Sequence, residues 1–379
     1  MTWAPGGNLP PLLAAASLLA ARGHDVKVLA SAATGPAAER AGFEVLGYRR
    51  SSAPDTRVAF ERQAEAMMAA ASGREIACDV RDVLAAVRPE LAIADCMLPA
   101  ALAAGAATGT PTASLAHFLY GRARQVMLCH GGGWTTDLDA LAATHRALGL
   151  PAPRDGVAAW EAAELVLITA PRWLDVEQEY PMHVVHAGPL GTRASSRRVD
   201  EQPPHVLLSF STTVMGGQRE AIQRVCDAIA ATAVRATLTL GPAVDTATLR
   251  TPGNVDVVPW ADHDRLLPRC AATITHGGLG TTLRALAHGV PLLLLPLGRD
   301  QAFNAAGVVA HGAGLQLPPT ADPTAIAAAL RRLLDEPGFR AAAIDAAARI
   351  AADAPDRRAA DALERCVHSR QIRPGFQGM

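Results

Sequence analysis

Residues 274–291 read ITHGGLGTTLRALAHGVP. A β-branched pair ends a run that begins at Ala271, and then a histidine, three glycines and two threonines crowd into seven positions. After them the pattern turns helical. Ala271–Thr275 reads as a strand and the helix is expected to begin near Thr281. Glycine permits backbone conformations closed to other residues and lets a ligand come close to the chain. The first turn of a helix offers unpaired N–H groups and the positive end of the dipole. A strand–glycine turn–helix is therefore an anion site, and phosphate is the usual anion. Thr281 and Thr282 can cap the helix or donate to phosphate oxygens, and His276 can donate to the same group.

The flanks extend the pattern. Upstream, WADHDRLLP (260–268) places an aromatic before a loop, and such a ring can stack on a nucleobase. Downstream, PLGRDQAFNA (296–305) follows the next strand, PLLLLP (291–296), so Asp300 and Gln301 fall at the same end of the sheet. A carboxylate beside an amide suits a polyhydroxylated sugar. Base, diphosphate and sugar are thus served in order along one sheet edge.

Working outward, strands alternate with helices along the chain. HVLLSFSTT (205–213), ATLTLG (236–241), VDVVPW (255–260), AATITHGG (271–278) and PLLLLP (291–296) read as strands, and helices close the chain at 323–335 and 339–367. The first half repeats the plan. Gly6-Gly7-Asn8 precedes a helix (Leu12 to Ala21), Val26–Ala30 and FEVLGY (43–48) are strands, a helix runs through 60–87, and LAIADC (91–96) and PTASLAH (111–117) are strands separated by another helix. Such alternation implies parallel sheets covered on both faces. The polar, charged GTRASSRRVDEQPP (191–204) reads as a linker. The expected organisation is α/β: an N-terminal Rossmann-like domain over 1–190, a linker over 191–204, and a C-terminal Rossmann-like domain over 205–379 whose last helix packs back on the first domain. Ligands of open α/β sheets sit beyond the carboxyl ends of the strands, which here places them in a cleft between the two domains.

Bulk properties narrow the function. The 379 residues fit two domains, and a formal net charge of −1 argues against a nucleic-acid footprint. Six scattered cysteines, without close pairs, give no spacing support for disulfides or a metal. There is no charged n-region ahead of an apolar stretch, and LLAAASLLAA is too short to span a bilayer. A cytoplasmic protein without membrane contact is expected. The opening GGN turn is preceded by only five residues, so a native start further upstream is expected.

Residues 260–301 resemble the nucleotide-sugar signature of the GT-B glycosyltransferases, the family holding plant secondary-product and bacterial antibiotic transferases. The resemblance is carried by Trp260-Ala261, by His276 through Thr282, by Gly289-Val290-Pro291 and by Asp300-Gln301, and the two-domain plan extends it over most of the chain. It implies that Trp260 stacks on the base and the Ala261 backbone meets the base edge. His276, with N–H groups near Gly278, Gly280 and Thr281, contacts the diphosphate. Asp300 and Gln301 hold the sugar hydroxyls, and Ser211 and Thr212 in SFSTT touch phosphate. Plant members carry a glutamate for the ribose where Arg284 stands, which favours a deoxythymidine nucleotide over a uridine one.

The same resemblance expects a catalytic histidine in the first strand–helix turn, where Asn8 stands instead. Asparagine can orient an acceptor but cannot take its proton. Asp95 matches the aspartate that pairs with that histidine in plant members; with no histidine to orient, it becomes a candidate base, beside His117 and His130. An acidic acceptor, another base, dependence on a partner or weak catalysis would each account for Asn8. The acceptor is expected along 48–75 and 117–145, with Phe60, Met67, Met68, Phe118, Met127 and Trp134. The implied function is inverting transfer of a sugar, a deoxysugar by preference, from a nucleoside diphosphate to a natural-product hydroxyl. No cofactor and no metal are expected, since no acidic cluster would hold one. A homodimer or an auxiliary protein is compatible with the sequence. Two rivals are a nucleotide-sugar epimerase of the same fold and a degenerate homologue that activates another transferase.

Overall fold

The computed structural model describes residues 1–4, 6–52, 58, 60–130, 136–192 and 202–371, without the side chains of 60–63, 129, 130, 242 and 369–371. Trp134 and the side chains of Phe60 and His130 therefore lie outside the described residues, as does most of 191–204.

Among the described residues, twelve strands form three all-parallel sheets. β1 (Lys27–Ala30) pairs with β2 (Glu44–Gly47). A four-stranded sheet runs β3 (Ala92–Asp95), β4 (Thr112–Ala116), β5 (Leu165–Ile168), β6 (Val184–His186). Residues 1–3 lie between the two sheets. Thr2 N–H donates to Leu29 O (3.0 Å), while Asp95 N–H donates to Met1 O (3.2 Å). The second half holds a six-stranded sheet in the order β12 (Gly314–Gln316), β11 (Leu292–Leu294), β10 (Cys270–Thr275), β7 (His205–Ser209), β8 (Arg235–Thr239), β9 (Val255–Val258). Its central strands β7 and β10 are buried along their whole length, as parallel strands under helices on both faces must be.

Several elements differ from the sequence reading. The stretch 60–87 is two helices, Phe60–Ala71 and Arg74–Val87, because Gly73 takes an extended conformation at the start of the second. The stretch 339–367 is likewise two helices, Pro337–Asp353 and Pro355–Gln371. Proline cannot continue the hydrogen-bond ladder, and Ala354 ahead of it is left-handed (φ 45°). The strands β5, β6 and β12 were not anticipated. β5 is a four-residue apolar run, too short for its period to tell strand from helix, and the other two have three residues each.

The last helix, Pro355–Gln371, returns to the first half. Its Ala359, Ala362 and Leu363 pack with Leu12, Ala15 and Leu19 of the helix Leu9–Ala21 and with Leu167 of β5. Arg22 makes ion pairs at 2.7 Å with Asp361 and Glu364 along the rim. Beside the crossover, Gly191 N–H donates to Asp356 Oδ1 (2.8 Å) and Gly188 sits against the Pro355 ring. A second contact between the halves is Trp173, whose ring lies 4.7 Å from the His311 ring and beneath the Arg349 guanidinium (5.7 Å).

Candidate active site

A cleft of about 630 Å³ lies between the two halves at the carboxyl ends of their strands. Thirteen sequence-predicted site residues line it: Asn8, Asp95 and His117 from the first half, and Ser211, Thr212, Trp260, Ala261, His276, Gly278, Gly280, Thr281, Asp300 and Gln301 from the second; Thr282 is fully buried and does not reach it. Met67, Met68 and Phe118 of the expected acceptor region also line it, whereas Met127 is fully buried in the core.

The anion corner is built from β10 and the helix Leu279–Ala287, which starts two residues earlier than expected. The three glycines do three different things. Gly277 is left-handed (φ 87°), and a Cβ there would come within 3.1 Å of Gln301 O. Gly278 has an ordinary φ, but a Cβ would lie 2.7 Å from His276 Nε2. The His276 ring therefore rests on the backbone that glycine leaves bare. At Gly280 a Cβ would meet nothing within 4 Å, so this face of the first turn is open to the cleft. Burial lowers the His276 pKa to about 4. The ring is neutral at physiological pH and brings no charge to the cleft. Nδ1 lies 3.4 Å from Thr275 Oγ1 and 3.5 Å from Ser209 O; with the N–H on Nδ1 the ring donates to the Ser209 carbonyl, and with the N–H on Nε2 it accepts from the threonine hydroxyl.

The next turn holds the sugar-side pair. Asp300 Oδ2 accepts from Asn304 Nδ2 (3.0 Å), leaving Oδ1 for another donor, and burial raises its pKa. Gln301 departs from expectation. Its Oε1 accepts from the N–H groups of Leu297 (2.7 Å) and Gly298 (3.1 Å), so its carbonyl holds the turn, and only the amide nitrogen is left for a hydroxyl. Asn304, unnoticed in the sequence, ties the two turns together by also donating to Gly277 O (2.9 Å). Ser211 Oγ accepts from Thr213 N–H (3.0 Å), fixing the loop after β7.

At the far end Trp260 is 77% exposed, an indole standing free on the cleft rim. Arg284 lines the cleft there, with its Nε 3.8 Å from Asp264 Oδ2, while His288 Nε2 sits 3.0 Å from Asp264 Oδ1. Both carboxylate oxygens of Asp264 thus face cations or donors of the protein itself.

On the first half, Asn8 stands just before the helix Leu9–Ala21 but does not cap it. Its amide donates to Ala4 O (3.0 Å) and to Asp95 Oδ2 (2.5 Å). Asp95, at the end of β3, is 1% exposed. Its Oδ1 accepts from Met97 N–H (2.9 Å) and lies 3.2 Å from His117 Nε2. The expectation that Asp95 has no histidine to orient is therefore overturned. β3 and β4 are neighbours in register, and the residue just past β4 delivers the imidazole from a different strand. Burial works against charging either group, yet the neighbouring Cys96 sulfur and the Asp95 carboxylate raise the His117 pKa well above the ordinary imidazole range, and His117, the Met97 N–H and the Asn8 amide lower that of Asp95. Cys96 joins them. The ligand atoms of Asp95, Cys96 and His117 all lie within 4.8 Å of one another, a grouping that the spacing of the cysteines gave no reason to expect.

Residues 223–365 match the family described as "Erythromycin biosynthesis protein CIII-like, C-terminal domain". Elloramycin glycosyltransferase ElmGT of Streptomyces olivaceus is 46% identical over 98 residues, which is 26% of this chain and 24% of that protein. The chain thus aligns with about a quarter of that relative's length. The glycotransferase of kitacinnamycin superposes with a TM-score of 0.78 at 23% identity, over 96% of this chain and 97% of the other. Glycosyltransferase VinC, solved in complex with dTDP, superposes with a TM-score of 0.72 at 22% identity, over 97% and 98%. Residues 223–365 therefore carry an EryCIII-like C-terminal domain, and the chain as a whole has the GT-B fold.

Proposed function

We propose that this chain transfers a sugar, a deoxysugar by preference, from a nucleoside diphosphate to a hydroxyl of a natural-product acceptor such as a polyketide, with inversion at the anomeric carbon. The observation that carries this is the single cleft shared by a helix N-terminus ringed with glycines and an Asp95–His117 pair on the opposite wall. A relative named as an elloramycin glycosyltransferase and a structural neighbour solved with dTDP support the same reading.

In this mechanism the leaving diphosphate lies against the N–H groups at 278–281. The helix dipole stabilises the charge that develops as the glycosidic bond breaks. His276, neutral, adds a hydrogen bond. Trp260 stacks on the base, and Asp300 with the Gln301 amide holds sugar hydroxyls. The acceptor enters beside Met67, Met68 and Phe118 and gives its proton to the His117 imidazole, which has first released its resting proton to solvent and is steered by Asp95. Asn8, fixed on Asp95, takes over the support of the carboxylate. The reaction so written uses no cofactor. Arg284, standing where a ribose-binding carboxylate would, favours a nucleotide without a ribose 2′-hydroxyl, hence dTDP over UDP. No described helix is long and apolar enough to cross a membrane, which accords with a cytoplasmic site of action.

Calorimetry of dTDP, UDP and GDP with the full chain, with His276→Ala as control, tests the reading. Micromolar dTDP binding that the control loses supports a working donor site. Absence of nucleotide binding to well-folded protein rejects the enzyme and leaves the activator role. Conversion of a nucleotide sugar without any acceptor favours the epimerase.

A further inference from the structure

The Asp95, Cys96 and His117 group offers a carboxylate, a thiol and an imidazole converging from two strand ends. Successive side chains of a strand point to opposite faces. β3 ends at Asp95, so Cys96 escapes that alternation, and its sulfur stays near the carboxylate. A tetrahedral ion with bonds of about 2.0 Å to nitrogen and oxygen and 2.3 Å to sulfur needs its ligand atoms roughly 3.3–3.5 Å apart. Asp95 Oδ1 and His117 Nε2 are already 3.2 Å apart, and the sulfur lies within 4.8 Å of both. Closing the set asks the sulfur to approach by at most about 1.3 Å.

The surroundings hold these donors in place. Asn8 Nδ2 donates to Asp95 Oδ2 (2.5 Å), Met97 N–H donates to Asp95 Oδ1 (2.9 Å), and Trp160 Nε1 donates to Cys96 O (2.9 Å). Outer partners of this kind orient metal ligands. A carboxylate and a thiolate sum to two negative charges, which a divalent cation neutralises inside the fold. The sulfur and nitrogen donors select zinc over magnesium or calcium. Asp95 and His117 both line the cleft, which supplies an entry path and a fourth coordination position.

We propose that Asp95, Cys96 and His117 form a binding site for a thiophilic divalent cation, zinc, and that its occupancy switches the cleft off. As the metal–sulfur and metal–nitrogen bonds form, the thiol proton and any imidazolium proton leave to solvent. The switching clause rests on the transferase reading above: a metal-bound His117 has no lone pair for the acceptor's proton. The binding clause does not depend on that reading.

The test uses the full chain freed of metal with a chelator. CoCl₂ added in equal amount is expected to give near-ultraviolet thiolate-to-cobalt absorbance that ZnCl₂ abolishes. Cys96→Ala is expected to lose the band and to weaken zinc at least about 100-fold by calorimetry, as is His117→Gln. Cys226→Ala, which removes another buried thiol, should retain both. A missing band, or a band that survives in Cys96→Ala, overturns the site; if that variant does not fold, His117→Gln decides. In the transfer assay zinc should inhibit the parent chain, while Cys96→Ala, with its rate expressed relative to its own zinc-free rate, resists at least about 100-fold more zinc. Equal zinc sensitivity of the two overturns the switch. A chain that binds cobalt through sulfur yet transfers no sugar refutes the transferase and leaves the metal site standing.

Discussion

Gly278→Ala isolates the contact on which the anion corner rests. The new Cβ would lie 2.7 Å from His276 Nε2 and 3.0 Å from Cε1, against an ordinary contact of 3.4 Å or more. The ring or the helix start must move by roughly 0.7 Å. The ring is 8% exposed and Phe210 lies alongside it at 6.3 Å, so it has little room to retreat. Misplacing a group by about 1 Å at a reacting centre costs on the order of 100-fold, or about 2.7 kcal/mol. The expected result is a kcat/KM for transfer from a dTDP-sugar lowered about 100-fold. Gly280→Ala is the partner experiment. Its Cβ meets nothing within 4 Å, and alanine is the better helix former, by about 1 kcal/mol. Its melting temperature should hold or rise, while donor affinity falls because the methyl occupies the face open to a phosphate. Thermal melts and donor titrations on both variants read this out. A Gly278→Ala protein with kcat/KM within twofold of the parent would refute the argument that this glycine exists to seat the histidine.

Other tests follow from the same geometry. Trp260→Ala should weaken dTDP by about 1–3 kcal/mol, roughly 5- to 150-fold, through lost stacking, with an unchanged melt because the ring is exposed; calorimetry beside a thermal melt checks both. Gln301→Ala should destabilise by about 1–3 kcal/mol in urea unfolding, since two turn N–H groups lose their acceptor, whereas Gln301→Glu keeps an acceptor and the stability but alters the sugar contact. For pH, the folded His276 titrates at about 4 against 6.5 unfolded. A depressed histidine gives stability that is fully present above pH 6.5 and lost as pH falls toward 4, about 3 kcal/mol in all. Urea unfolding across that range should show His276→Gln with a shallower acid limb than the parent.

The glycine corner was readable because each residue acts within a few positions of itself: a strand, a turn, a helix end. The wall opposite was not. Asp95 and His117 are 22 positions apart and meet only because β3 and β4 pair in register, a fact held in the long-range order of strands. Cys96 was missed for the same reason. The role of Gln301 in its own turn was hidden because the sequence shows which residue can bind a hydroxyl, not whether its oxygen is already used. Strands of three residues, such as β6 and β12, are too short to carry a period at all.

Because the final helix lies on the first half, the polypeptide passes between the two halves twice, once near 191–204 and once at Ala354–Pro355. The crossings are neighbours, joined by the Gly191–Asp356 hydrogen bond and the Gly188–Pro355 contact. Mechanically, the second half is an insertion hung on a pair of adjacent pins. Two pins define an axis where a lone tether permits a cone of orientations. Any rotation of one half against the other is thereby restricted to that axis.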